Sequence, residues 1–340
     1  MSNSLISTSN ASRWRTPALI AAAGLAASYL YVRTKTRQIE RQHPPTGKFV
    51  EVDGVKLHYH DRGEGPVLVL LHGNGLNADD FQTSGFSDRA AAHYRVIAFD
   101  RPGFGYSERP RTTVWTPMAQ AKLLHAALEK LGVEQAIVLG HSWGTMVALS
   151  MGLAFPETVK GLVLLSGYYF GSLRLDVPMM SAPAIPIVGD LMRYTVSPLL
   201  GRLMWRGVVK KSFRPMPVAE SFDRLPVWMM LRPSQLRASA AEVALMVPSA
   251  IALSRRYKEL KVPVKIVAGL GDEVVDTNHN AVRLHEDIDN SDLRLHPGVG
   301  HMTHYARPDQ ILAVVDALAA QTDFLHLPTE VPAEARESGV

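Results

Sequence analysis

A serine, an aspartate and a histidine stand in this sequence where together they could carry out acyl transfer. The pentapeptide Gly140-His141-Ser142-Trp143-Gly144 follows the apolar run 136–140 and precedes a small apolar segment, 145–155. That context puts Ser142 on a tight strand-to-helix turn. A side chain there is crowded by its own backbone, so the residues two positions away on either side must be small. Gly140 and Gly144 meet this demand. The helix start beyond brings a positive dipole end toward any oxygen that gains negative charge. The plain alternative is a glycine-bounded turn with an ordinary serine, and the flanking strand and helix weigh against it.

A serine at neutral pH needs a base. Gly298-Val299-Gly300-His301 follows the strand-like LRLHP and precedes the last helical segment, which makes His301 the expected base. His296, inside the strand-like run, and His304, entering the next turn or helix, are its rivals. The base must be held in one tautomer by an acceptor. Asp272, just after the run VKIVAG, is the expected acceptor, with Glu273 and Asp276 as alternatives. A helix cap or turn role is the plain reading of such an aspartate. The oxyanion of acyl transfer needs two backbone donors. They are expected from the N–H of Trp143 and the N–H of Asn74, the latter in the loop His72-Gly73-Asn74-Gly75, whose glycines permit close backbone approach.

These residues need a frame that gathers them at one edge. Residues 49–63 read as two short strands around the Asp53-Gly54 turn. Continuous apolar runs follow at 66–71, 94–100, 136–140, 161–166 and 264–269, as suits strands buried on both faces. Between them, 118–132 places Leu123, Leu124, Ala127 and Leu131 on one helical face and stops at Gly132. Alternating buried strands and helices imply an α/β fold: a mostly parallel central sheet with helices on both faces. Such sheets build their sites at the carboxyl ends of the strands, where Ser142, Asp272 and His301 all fall. From about 168 to 258 the alternation breaks into a segment rich in Met, Leu and Pro, expected to be a helical cap insertion.

With these pieces in place the chain resembles the α/β-hydrolase superfamily. The matching segments are HGNG (72–75), DRPGFGYS (100–107), GHSWG (140–144), GLGDEVV (269–275) and GVGHMTHYARPD (298–309), and the likeness covers roughly 48–320. The resemblance implies a triad of Ser142, Asp272 and His301, with Asn74 and Trp143 as oxyanion donors and Asp100 and Arg101 in a structural loop. GHSWG is similar to the corresponding turn of epoxide hydrolases, and HGN to haloalkane dehalogenases. Those relatives use an aspartate where this chain has Ser142, so epoxide and haloalkane chemistry is not expected. Serine-type relatives include carboxylesterases, lipases, lactonases, C–C bond hydrolases, cofactor-free haloperoxidases and iminopeptidases. The expected activity is hydrolysis of carboxylic esters of apolar or medium-chain acyl groups through an acyl-enzyme. A C–C bond or lactone hydrolase with the same triad is the alternative, and a silent binding protein is disfavoured because no triad member is missing. The cap inventory of Met179, Met180, Leu191, Met192, Leu199, Leu200, Met204, Trp205, Trp228, Met229 and Met230 suits flexible apolar ligands, although packing onto the core is the plain role of each.

Composition sets outer bounds. The 340 residues are 46% hydrophobic and 20% charged, ample for a full core. The absence of cysteine excludes disulfides, thiolate metal sites and a cysteine nucleophile. HMTH (301–304) lacks the H-E-x-x-H spacing of a zinc protease, and no metal or organic cofactor is expected. The formal charge is +4, and no acid precedes Glu40. No nucleic-acid motif accompanies that charge, so the expected partners are a small apolar ester and a membrane.

Residues 1–46 read as an anchor and linker, 47–320 as the hydrolase domain and 321–340 as a loose tail. Residues 1–16 look disordered, and 33–46 read as a basic linker. The uncharged run 17–32 ends in Tyr29 and Tyr31 with Trp14 before it, as suits a membrane interface. Arg13 and Arg15 precede the run and Arg33, Lys35, Arg37 and Arg41 follow it, so a single-pass anchor would leave the hydrolase domain cytoplasmic. A cleaved signal or transit peptide, with export or organelle targeting, is the alternative.

Overall fold

The structure, a computed structural model, describes residues 10–324. Helix α1 (Asn10–Gln42) opens it, followed by the hairpin β1 (Lys48–Val52) and β2 (Val55–Arg62). Asp53 and Gly54 turn that hairpin with φ of 50° and 73°, the positive pair that the Asp-Gly sequence favours. Then come β3 (Val67–Leu71), β4 (Arg95–Phe99), α2 (Pro117–Lys130), β5 (Ala136–His141), α3 (Gly144–Ala154) and β6 (Val159–Leu165). The cap is built mainly from α4 (Val177–Ser181), α5 (Val188–Tyr194), α6 (Val196–Phe213) and α7 (Pro233–Ser254). The chain returns to the sheet with β7 (Val264–Gly269) and β8 (Ser291–His296), and α8 (Pro308–Gln321) follows.

The eight strands lie in the order β1-β2-β4-β3-β5-β6-β7-β8. β1 and β2 are antiparallel to their neighbours, and all pairings from β4 to β8 are parallel. Successive residues of the central strands enter different layers, as the two-residue period of a strand requires. Val69, Leu71, Ile97, Phe99 and Val138 join one core with Leu124 and Leu128 of α2 and Met146 and Leu149 of α3. Leu68, Leu70, Val96, Ala98, Ile137 and Leu139 join the other with Ile311, Val315 and Leu318 of α8. Each such side chain fully buried adds about 1.5–3 kcal/mol of hydrophobic stabilisation, so the central strands are rigid supports for the loops at their ends.

The inserted segment is helical, as its composition suggests, but its edges belong to the body: Tyr168, Tyr169, Phe170, Leu253 and Tyr257 are buried in the main core. The N-terminal reading needs correction. Residues 33–42 are not a linker but the last ten residues of α1, and residues 10–16 are helical too. From Ser28 onward the helix lies on the cap. Val32 is fully buried, the Ser28 hydroxyl donates to the Thr195 carbonyl at 2.8 Å, Tyr31 meets Trp228 edge-on, and Glu40 pairs with Arg232 at 3.1 Å. These contacts, not propensity alone, carry the helix through its charged stretch. Leu19 and Ile20, nearer the start, are exposed. Among the described residues only α7 reaches the length and hydropathy of a membrane span. It is part of the packed cap, with Gln235 and Glu242 buried on it. At the other end Phe324 is buried against the core, and the rest of the expected tail, 325–340, lies outside the described residues.

Candidate active site

β5 ends at His141 and α3 begins at Gly144, leaving Ser142 on the turn with φ of 52°. An L-residue held there carries about 1–3 kcal/mol of backbone strain. The surrounding contacts show what enforces it. A Cβ on Gly140 would stand 2.6 Å from the Gly144 carbonyl oxygen, and one on Gly144 would stand 2.3 Å from the Leu71 carbonyl oxygen. The Ser142 amide donates to Leu165 at 2.8 Å, and the Thr145 hydroxyl donates to the Ser142 carbonyl at 2.6 Å.

His301 Nε2 lies 2.9 Å from Ser142 Oγ, and His301 Nδ1 lies 2.7 Å from Asp272 Oδ2. A carboxylate only accepts, so Nδ1 carries the proton and Nε2 is free to accept from the serine hydroxyl. Asp272 Oδ1 accepts from the amides of Val274 and Val275 at 2.7 and 2.9 Å, which fixes the carboxylate. The rivals are engaged elsewhere. Asp276 caps the His279 amide, and Glu273 faces Arg214 at 3.6 Å on the surface. His304 bonds Asp80, and half-buried His296 sits on β8 with its basicity lowered by burial.

The loop bearing His301 is gripped from two sides. Its amide donates to the Ser212 carbonyl at the end of α6, and its carbonyl accepts from His141 Nε2 at 3.1 Å. Burial, reinforced by the neighbouring His304 and His301, holds His141 well below the usual histidine range, so it is neutral. Behind it stands buried Asp80, whose oxygens accept from His304 Nε2 and the Tyr305 hydroxyl, both at 2.9 Å. Asp80, His141 and His304 have donor atoms close enough for a metal ion, but both Asp80 oxygens are already satisfied within the protein. The trio acts as a pillar under the His301 loop.

Asn74 and Trp143 line the same cavity as Ser142 and His301. Among the described residues neither backbone amide donates to a protein acceptor, which leaves both available to an oxyanion. Gly73 lets this loop approach the serine closely, since a Cβ there would stand 3.1 Å from Ser142 Cβ. The cavity holds about 410 Å³, within the common range for small-molecule sites. Leu76, Val209, Phe222, Val243, Met246 and Met302 make its lining largely apolar. Of the cap residues singled out by sequence, Met180 and Trp205 reach this lining. Met229 and Met230 are buried elsewhere, and Leu191, Leu199, Leu200 and Met204 are exposed.

Sequence reasoning missed Glu242. It is fully buried on α7, pairs with Arg101, and its carbonyl accepts from the Trp143 indole at 3.1 Å. A lone acid inside the apolar stretch 240–247 was the available signal. Asp100 has the structural role expected of it, accepting from the amides of Ala78 and Tyr106 at 2.8 Å.

The sequence model of the alpha/beta hydrolase fold family matches residues 66–308. The chain belongs to the α/β-hydrolase family. This α/β-hydrolase is 31% identical over 271 residues to an uncharacterised hydrolase, YugF, of Bacillus subtilis, covering 76% of this chain and 93% of the relative. It is 25% identical over 301 residues to 2-hydroxymuconate semialdehyde hydrolase of Pseudomonas putida, covering 84% of this chain and 98% of the relative. Among solved structures it resembles Est816, described as an N-acyl homoserine lactone degrading enzyme, with a TM-score of 0.61 and 26% identity over 79% of this chain and 99% of the other. Hydrolysis is the reaction class of this chain; the bond it cleaves is the finer question.

Proposed function

We propose that this α/β-hydrolase cleaves carboxylic esters with apolar acyl groups through a Ser142 acyl-enzyme. The observation that carries the reading is the Ser142–His301–Asp272 hydrogen-bond chain opening into an apolar cavity. Ser142 Oγ attacks the ester carbonyl as its proton passes to His301 Nε2, and Asp272 stabilises the resulting imidazolium. The Trp143 and Asn74 amides hold the oxyanion. Collapse expels the alcohol, which takes the proton from His301. Water then attacks the acyl-enzyme with His301 again as base, releasing the acid and restoring Ser142.

A neutral acyl group is favoured over a charged one by the state of the cations at the cavity. Arg174 is neutralised by Asp176 through contacts of 2.9 and 2.8 Å, and Lys211 is exposed. The second reading, a C–C bond or lactone hydrolase with the same triad, draws support from the names of the Pseudomonas relative and of Est816. A screen of p-nitrophenyl esters of graded acyl length beside lactones and a 2-hydroxy-6-oxodienoate separates the two. Turnover of medium-chain esters far above the dienoate is expected, and the reverse order would establish the second reading.

We also propose that α1 holds the enzyme at a membrane, with the hydrolase domain on the cytoplasmic face. At 1.5 Å per residue the helix is about 50 Å long. From Ser28 onward it lies on the cap, while Leu19 and Ile20 are exposed in the uncharged stretch before that point. Full-length protein should pellet with membranes and resist high salt, whereas protein beginning at Gln42 should not. Intact full-length protein in the soluble fraction would exclude the anchor, and a shortened N-terminus would indicate cleavage.

A further inference from the structure

A second recess, of about 540 Å³, shares no lining residue with the cavity over Ser142. Five guanidinium groups line it, those of Arg109, Arg111, Arg193, Arg232 and Arg237. The carboxylates that oppose them are fewer. Asp190 is shared between Arg111 and Arg193, Glu40 pairs with Arg232, and Glu108 lies in the lining. Glu242 stands 4.0 Å from Arg109 but is already paired with Arg101. Among the described residues no carboxylate pairs with Arg237.

Backbone carbonyls accept from several of these groups, Pro102 from Arg109, Pro183 from Arg193, Gly105 from Arg232 and Arg109 from Arg237, but they carry no net charge to offset the cations. Burial lowers the basicity of Arg109, to about 10, and the charges of Arg101 and Arg237 add to the effect. Burial also lowers Arg193 and Arg237, and Arg111 contributes to both. Arg193 is 2% exposed, and its Nε atom is buried without a hydrogen-bond partner. An unsatisfied buried donor on a charged group is unfavourable.

What lies beside the recess narrows the anion. Tyr194 lines the recess and also an apolar groove between α1 and α5, formed with Leu25, Tyr29, Leu30 and Leu191. Asp190 edges the same groove. Leu19, Ile20, Ile187, Val188 and Val196 are exposed on these helices and on the start of α6. A cationic recess that continues into an apolar groove fits an amphiphile with an anionic head.

We propose that this is a binding site for an anionic phospholipid, with its phosphate among Arg111, Arg193 and Arg237 and an acyl chain in the groove between α1 and α5. Planar guanidinium groups suit bidentate contact with phosphate oxygens. The lipid would bridge α1 to the cap and stabilise the docked helix. The site is separate from the reaction at Ser142, and its test does not depend on which bond that serine attacks.

The test uses full-length Ser142→Ala protein, so that no lipid is consumed, and calorimetric titration with short-chain phosphatidylglycerol, short-chain phosphatidylcholine, glycerol 3-phosphate and inorganic phosphate. Phosphatidylglycerol is expected to bind about tenfold or more tightly than the other three. The Arg111→Gln/Arg237→Gln pair should weaken it by about tenfold or more. Leu30→Asp, at an exposed position, should weaken it independently should the arginine pair not fold. In the Ser142 background both variants should keep ordinary p-nitrophenyl butyrate turnover. Equal binding of the two lipids, binding untouched by either folded variant, or inorganic phosphate binding as tightly as the lipid would each overturn the proposal.

Discussion

The Arg101 guanidinium and the Glu242 carboxylate form a fully buried ion pair that joins the cap to the loops around Ser142. Arg101 Nε also donates to the His72 carbonyl at 2.8 Å, its guanidinium lies 4.9 Å from the Trp143 ring, and Gln120 donates to Glu242 at 3.0 Å. Removing one partner of such a pair leaves an uncompensated buried charge and costs about 3–5 kcal/mol. Glu242→Ala should lose that much in denaturant unfolding and should lower kcat as well, because Trp143 carries one proposed oxyanion donor and His72 lies two residues before Asn74, which carries the other. Unchanged stability would show that the pair does not hold the cap.

Asp272 and Asp276 offer a direct contrast. Asp272→Asn removes the acceptor that fixes the His301 tautomer, and kcat should fall by about 10⁴. Asp276→Asn should leave at least about a tenth of the rate, since a helix-cap contact is worth only about 1 kcal/mol. Comparable losses in the two variants would mean that the acid of the triad is misassigned.

Acyl-length preference should follow the cavity lining. Val243 and Met246 of α7 border it. Met246→Trp should lower kcat/KM for octanoyl esters by about tenfold or more and spare butanoyl esters, given that one methylene contact in a pocket is worth about 1–3 kcal/mol. A uniform decrease across chain lengths would place the acyl group elsewhere.

Stability should fall on mild acidification because of two buried histidines. Burial holds His72 and His141 well below the ordinary value of 6.5, Arg101 adding to the effect at His72 and His304 at His141. Below that value the unfolded chain takes up protons that the native state refuses. Stability therefore rises with pH across this window and is lost as pH falls, by about 1.4 kcal/mol per pH unit for each histidine. His141→Gln should flatten the slope between pH 6.5 and 5 by about one such increment. An unchanged slope in chemical denaturation would contradict a neutral His141.

Much of this was legible in sequence because it rests on local rules. The Ser142 turn needs small residues at 140 and 144, the strands buried on both faces read as unbroken apolar runs, and Asp53-Gly54 announces its hairpin. The His301–Asp272 contact joins residues 29 apart in sequence, yet both stand at strand ends where an open α/β sheet builds its site. What escaped depends on tertiary contact. α1 continues through a charged stretch because Trp228, Thr195 and Arg232 receive it. Glu242 is accommodated in an apolar helix because Arg101 and Gln120 reach it from the body of the fold. The convergence of Arg109 and Arg111 with Arg193, Arg232 and Arg237 has no signature in linear spacing.

The central claim is that Ser142 is the activated nucleophile. Intact-mass and peptide mass spectrometry after treatment with a fluorophosphonate measures it directly. A single adduct on Ser142 is expected, abolished in Ser142→Ala and strongly slowed in His301→Ala, with ester hydrolysis lost in parallel by about 10⁴–10⁶. An adduct on another residue, or ester turnover by Ser142→Ala above about a tenth of the parent rate, would contradict it.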